Sequence, residues 1–331
     1  MRGHKRYAIR FSHFLHDARP RMSTPPDPDA TRRALDELLA LLELEKIEEN
    51  IFRGRSAPVS SETVVFGGQV AAQALTAAAQ TVPPERAAHS LHAYFILPGD
   101  PGAPIVYEVD RIRNGGSFTT RRVVAIQKGK AIFNLSASFQ VAETGFEHQV
   151  DMPEVPPPEE LKGERTRHRA VLRQLSDRER DALSYKELRG LRARAERAWP
   201  VTFRPIDPTD PLHPEEGPPE RGVWMRAAGA LPDDPALHRA LLAFASDFGL
   251  LRAAMRPHSL SFIQPDFLAA SLDHALWLHR RRFRLDEWLL YDTDGPSASG
   301  GRGLSRGQLF TREGRLVASV AQEGLMRRRS T

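Results

Sequence analysis

Two copies of one α+β unit, each an antiparallel sheet laid against a central helix and joined as a pseudo-dimer, is the architecture this sequence specifies. Three observations lead there. An Ala-rich apolar segment, FGGQVAAQALTAAAQTV, is followed by four runs of strand character. The same order of helix and strands returns after residue 220. Setting Gly129 on Gly314 lays the last two strands of the halves over one another without a gap, as expected of two units that cover each other's sheets.

Composition narrows the chemistry. With 40% hydrophobic and 27% charged residues over 331 positions, the chain has ample material for a core and reads as an ordinary soluble globular protein. No apolar run approaches the roughly 18 residues of a membrane helix. The absence of cysteine excludes disulfides, thiolate metal sites and a Cys nucleophile, and suits a reducing, cytoplasmic setting. A net charge of +5 favours an anionic partner, either nucleic acid or a phosphate-bearing small molecule.

Residues 1–30 are expected to be an extension. The first 21 carry several basic groups and a single acid, as in a transit-type presequence or a start codon placed too early, and Met22 is the expected start. Thr31 is the expected N-cap of an amphipathic helix running to about Leu44. The first unit spans 31–145. Gly67 and Gly68 open its Ala-rich helix, and strands follow at 90–97, 105–112, 117–127 and 131–139, the last two joined by the turn KGK. Residues 146–220 form a connection, Pro-rich at both ends with a charged helical run between. Acids are scattered through that run and stacking aromatics are few, so it reads as a solvated face and not as a nucleic-acid stripe. The second unit spans 221–327, with a helix from about Pro235 to Leu251 and strands ending in LVASVAQEG.

Three polar side chains stand where apolar ones are expected. In the closing strand Leu316, Ala318 and Val320 share one side, and Gln322 arrives on that side, opposite in the repeat to Ala137. Leaving its amide unpaired would cost about 1–3 kcal/mol, so it either caps a buried backbone group or serves chemistry. Asp247 has Ala243, Phe244, Leu250 and Leu251 at helical spacing, which puts a carboxylate on the core-facing stripe; it either reaches solvent or a distant Arg at the stripe's edge, or it is functional. Ser271, at a strand entry in LAASLDHALW, is either a turn hydroxyl or a third member of a group that could converge on one water.

The stretches VFGGQVAAQAL, HSLHAYFILPGD, DHALWLHRRRFRLDEWLLY (one Arg longer than the family pattern) and GRGLSRGQLFTREGRLVASVAQEGLMR resemble the acyl-CoA thioesterase II family. The similarity runs from about Leu35 to Arg327 and loosens in the connection. It implies a double hotdog fold and hydrolysis of acyl-CoA to fatty acid and CoA, without cofactor or metal. It also implies that the family's catalytic carboxylate, hydroxyl and amide fall on Asp247, Ser271 and Gln322. Ser271 stands where the family pattern has Thr, which keeps the hydroxyl and loses positioning by a β-branched side chain.

A thioester has an electrophilic carbonyl and a good leaving group, so an oriented water beside a carboxylate can suffice. Backbone N–H groups of Gly67 and Gly68, at a helix N-terminus, are candidate oxyanion donors, although glycines there also permit tight helix packing. An Arg-rich surface suits the phosphates of CoA. His89 and His92 lie in a strand with apolar alternation and read as structural. Neither an HExxH zinc motif nor a Gly-x-Ser-x-Gly elbow is present.

Two other functions compete. A hotdog enoyl-CoA hydratase should carry GDxNPxH, and PGDPGAP lacks its Asn-Pro and its His. A non-catalytic acyl-CoA binder should have lost one of the three polar groups, and all three are present. The expected partners are therefore an acyl-CoA substrate and, because sheet edges of such folds commonly join, further copies of the chain as a dimer or tetramer, with no nucleic acid and no membrane span.

Overall fold

The computed structural model describes residues 28–59 and 63–329; the expected presequence and the start at Met22 lie outside them. Helix α1 (Pro28–Leu42) leads to a hairpin, β1 (Glu45–Glu48) and β2 (Ile51–Gly54), then to α2 (Gly67–Ala79) and the strands β3 (Ala87–Phe95), β4 (Ile105–Asn114), β5 (Phe118–Gln127) and β6 (Lys130–Gln140). The connection holds α3 (Glu164–Gln174), α4 (Asp177–Ala182) and α5 (Tyr185–Glu196). The second half holds β7 (Val201–Pro205), β8 (Glu220–Ala227), α6 (Pro235–Ser246), α7 (Arg252–Met255), β9 (Phe267–Ser271), β10 (Asp273–Leu278), β11 (Leu289–Ser299), β12 (Arg302–Thr311) and β13 (Leu316–Arg328).

The strands form one antiparallel sheet in the order β1-β2-β4-β5-β6-β3-β10-β13-β12-β11-β8-β7, with β9 also on β13. The half-sheets are continuous through β3 and β10, where Leu91 faces Leu276. Inside the sheet lie α2 and α6. Almost every residue of α2 is buried, which its Ala content permits at little side-chain entropy cost. A Cβ on Gly68 would sit 2.4 Å from the carbonyl oxygen of Phe244, so this glycine sets how closely the two helices approach.

Several expectations are corrected. Helix α1 starts at Pro28, which places Thr31 in its first turn instead of at its N-cap. Helix α6 stops at Ser246, because Asp247 is its C-cap and Gly249 takes a positive φ of 73°. Past its helical run the connection also holds an edge strand that the sequence did not announce, β7, which pairs with β8. The charge of the connection is not all solvated: Glu164, His168 and Arg194 line an interior cavity. Its Pro-rich start instead straps the outside of the second half, where Met152, Val155 and Leu161 pack on Trp224, Trp288, Leu290 and Phe310, and Trp224 Nε1 donates to the Pro156 carbonyl at 2.9 Å.

The repeat is gapless only in its last strand. The first turn is a two-residue loop with Lys128 (φ 50°) and Gly129 (φ 75°); the second has three residues, with Gly314 at φ 83° and Thr311 bonded to Arg315. Strand β13 therefore follows β6 at an offset of 185 (Gln322 against Ala137), while β12 follows β5 at 184 (Ser305 against Arg121). Each last strand also carries a bulge, at Ile132 and at Val317. The second bulge turns Leu316 onto the outer Trp cluster, away from the core face shared by Ala318, Val320 and Gln322, so the expectation that Leu316 shares their side is wrong.

Candidate active site

Asp247, Ser271 and Gln322 come together at the boundary of the two halves. Gln322 Nε2 donates to Asp247 Oδ1 at 3.1 Å and also contacts Ser271 Oγ, and the Ser271 hydroxyl donates to Asp247 Oδ1 at a long 3.4 Å. All three line one cavity of about 1170 Å³, whose walls include Val65, Phe66, Phe95, Phe133, Trp199 and Phe248.

The Asp247 carboxylate ends its own helix but lies at the start of the neighbouring one. Phe66, the N-cap of α2, has no side chain able to cap, and the Gly68 backbone N–H donates to Asp247 instead. The dipole of α2 thus favours the negative charge that the C-terminus of α6 disfavours. A Cβ on Gly67 would stand 2.9 Å from Asp247 Oδ2, so this glycine leaves the carboxylate its space. Burial is the dominant influence and pushes the Asp247 carboxyl above its ordinary value; His274, Gln322, Gly68 and Ser271 oppose it.

Sequence reasoning missed His274. This fully buried ring has Nδ1 at 3.1 Å from Gln322 Oε1 and Nε2 at 3.0 Å from Ser246 Oγ. Burial lowers its pKa, which favours the neutral ring. Because Gln322 Oε1 can only accept, Nδ1 carries the proton and Nε2 accepts from Ser246. The strand makes this possible through an extra residue: β9 pairs with β13 in one register (Ser271 with Gly324), β10 in a register one residue further on (Ala275 with Ala321). Ser271 and His274, three apart, thereby reach the same side chain. An ionisable ring in step with Leu276 and Leu278 was the available signal.

His89 and His92 stand apart from this group. His89 Nε2 bonds to Ser138 Oγ at 2.8 Å, and His92 is exposed on the outer face against Trp277 at 5.2 Å.

At the mirror-image position of the first half the arrangement differs. Ala137 replaces Gln322, and Arg121 replaces Ser305. Arg121 is buried, and its five N–H groups meet Thr81 Oγ1, Thr81 O, Arg113 O, Thr120 O and Asn114 Oδ1 at 2.7–3.1 Å. A carbonyl-bound guanidinium at the C-terminus of α2 thus stands beside Ala137, where the second half has Ser305 beside Gln322.

Comparison with known proteins shows the family to which the chain belongs. Residues 55–140 match the family profile described as the acyl-CoA thioesterase N-terminal domain, and residues 191–325 match the one described as acyl-CoA thioesterase. The chain is 40% identical to acyl-CoA thioesterase 2 of Haemophilus influenzae over 88% of its length and 98% of that protein's. It is also 40% identical to mouse acyl-coenzyme A thioesterase 8, over 87% and 88% of the two chains. The crystal structure of acyl-CoA thioesterase II TesB2 from Mycobacterium marinum superposes with a TM-score of 0.70 at 41% identity, covering 88% of this chain and 99% of that one. A hot dog fold protein of unknown function from Alicyclobacillus acidocaldarius, 19% identical, shares the fold at a TM-score of 0.66, over 89% and 99%. The chain is a double hotdog protein and belongs to the acyl-CoA thioesterase family of thioester hydrolases.

Proposed function

We propose that the chain hydrolyses acyl-CoA with a water held by Asp247, Ser271 and Gln322. The observation that carries this is a buried carboxylate within hydrogen-bond reach of both an amide and a hydroxyl, in a cavity whose walls include Phe66, Phe95 and Phe133. The 3.4 Å contact between Ser271 and Asp247 is the weakest of the group, and the serine rotor can release it. Water then donates to the carboxylate and accepts from the hydroxyl. As its oxygen attacks the thioester carbon, its proton passes to Asp247; the tetrahedral intermediate expels the CoA thiolate, which takes that proton and leaves as thiol. A carboxyl whose affinity for protons is raised by burial is a better base for this step. Gly67, at the first position of α2, has an N–H without an intrahelical acceptor and is the oxyanion donor in this reading; Gly68, whose N–H serves Asp247, supports the base.

His274 is not the hydratase-type partner of an Asp/His pair, since both its nitrogens are engaged by Ser246 and Gln322. Thiol release from palmitoyl-CoA and shorter acyl-CoAs tests the proposal. Wild type should hydrolyse them and Asp247→Asn should not; equal rates would remove Asp247 from the mechanism.

A further inference from the structure

A second charged cluster enters the wall of the same cavity. Glu164, at the start of α3, pairs with Arg252 of α7, whose guanidinium also lies 5.5 Å from the Phe248 ring. Arg194 of α5 and Arg221 of β8 bring two more cations into the field of that one carboxylate. Among the described residues, neither has a carboxylate within 4 Å. The Arg194 side chain has, among the described residues, a single hydrogen bond, to the Gly190 carbonyl of its own helix at 3.3 Å.

Three guanidinium groups thus face one acid. Burial lowers Arg194 and Arg221 only to about 10, so both stay charged at neutral pH, whereas His168 beside them, lowered to about 4, is neutral. Arg121 shows how this chain satisfies a buried cation for structural purposes, by filling every N–H with oxygen. Arg194 is not satisfied in that way, yet it lines the cavity beside Glu164 and Arg252. A surplus of partly buried cations is costly, and an oxyanion bound between them reduces the cost.

We propose that Arg194, backed by Arg252 and Arg221, binds an oxyanion carried by the thioester substrate, either a phosphate of the CoA portion or a carboxylate terminating the acyl group. This rests on the acyl-CoA reading above. The test compares wild type with Arg194→Gln on three thioesters of one chain length: a plain acyl-CoA, the same acyl group on pantetheine, and an ω-carboxyacyl-CoA. The readout is the ratio of variant to wild-type KM. A phosphate ligand makes this ratio about tenfold larger for both CoA esters than for the pantetheine ester. A carboxylate ligand makes it about tenfold larger for the ω-carboxyacyl-CoA than for the other two.

Three equal ratios overturn the site while leaving hydrolysis intact. Should Arg194→Gln not fold, Arg194→Lys, which keeps the charge and loses the planar fork, is read in the same way with a smaller difference. Should wild type hydrolyse none of the three, the hydrolase reading fails. Titration with inorganic pyrophosphate, followed by tryptophan fluorescence since Trp199 lines the cavity, then decides the anion site alone. Saturable binding weakened in the variant supports the site, and the lack of it overturns it.

Discussion

His274 Nδ1 lies 3.1 Å from Gln322 Oε1, and this contact fixes which way the carboxamide points. With its oxygen held by the imidazole, the amide must present its NH₂ to Asp247 and Ser271. In the proposed mechanism His274 acts through Gln322, which makes it a positioning residue.

His274→Leu, which copies the side chain of Leu91 that lies opposite Ala137 in the first half, should therefore lower kcat about ten- to a hundredfold with little change in KM. Steady-state thiol release, with melting temperature as a check on folding, measures this. An unchanged kcat would show that the amide orients itself without the ring.

Gln322→Ala copies Ala137 and should fold, while kcat drops about a hundredfold or more. The double variant His274→Leu/Gln322→Ala should be no slower than Gln322→Ala alone, because the histidine has no other route to the reaction. Additive losses in the cycle would give His274 an independent role.

Gly68→Ala would push a methyl group against the Phe244 carbonyl oxygen and the Phe66 ring, separating α2 from α6. Destabilisation of about 1–3 kcal/mol is expected by denaturant unfolding. Activity should fall further than folding, since the N–H that serves Asp247 moves with the helix.

Acid should weaken the fold in two stages. His168 is lowered from 6.5 to about 4, so the unfolded chain takes up its proton first and stability falls as pH drops from about 6.5 to 4. Glu164 is lowered from 4.5 to about 2, so its contribution, on the order of 3 kcal/mol, is complete above 4.5 and lost as pH falls towards 2. Melting temperatures of His168→Gln and Glu164→Gln against pH should each flatten their own window; parallel curves would contradict the assignment.

In the proposed mechanism the acid limb of activity belongs to Asp247. Its raised carboxyl must be ionised to take a proton from water, so kcat/KM should fall with decreasing pH through a midpoint above 3.8. A limb at or below that value would mean that the carboxylate is not the base.

The repeat and the central helices were legible because periodicity and internal similarity act over many residues. Periodicity left Asp247, Ser271 and Gln322 open between structural and chemical roles, and it was the family resemblance that grouped them. What was lost hinged on single-residue irregularities. Counting by twos places Ser271 and His274 on opposite faces, and the extra residue in that strand cannot be seen without its partner β13. The bulge at Val317 reverses Leu316 for the same reason. Apolar spacing continues past Ser246 and made α6 look longer than it is, since Gly249 breaks the backbone without breaking the pattern. The strand EKIE (Glu45–Glu48) is too short and charged to announce itself, and is held by pairing with Ile51–Arg53.

Arg121 has one further consequence. A guanidinium saturated by five oxygens has no N–H left for a ligand, so under the proposed mechanism the first half supplies scaffold and the second the reacting groups. A tight-binding inhibitor should then titrate the protein at one equivalent per chain, and a stoichiometry of two would give the first half a site of its own.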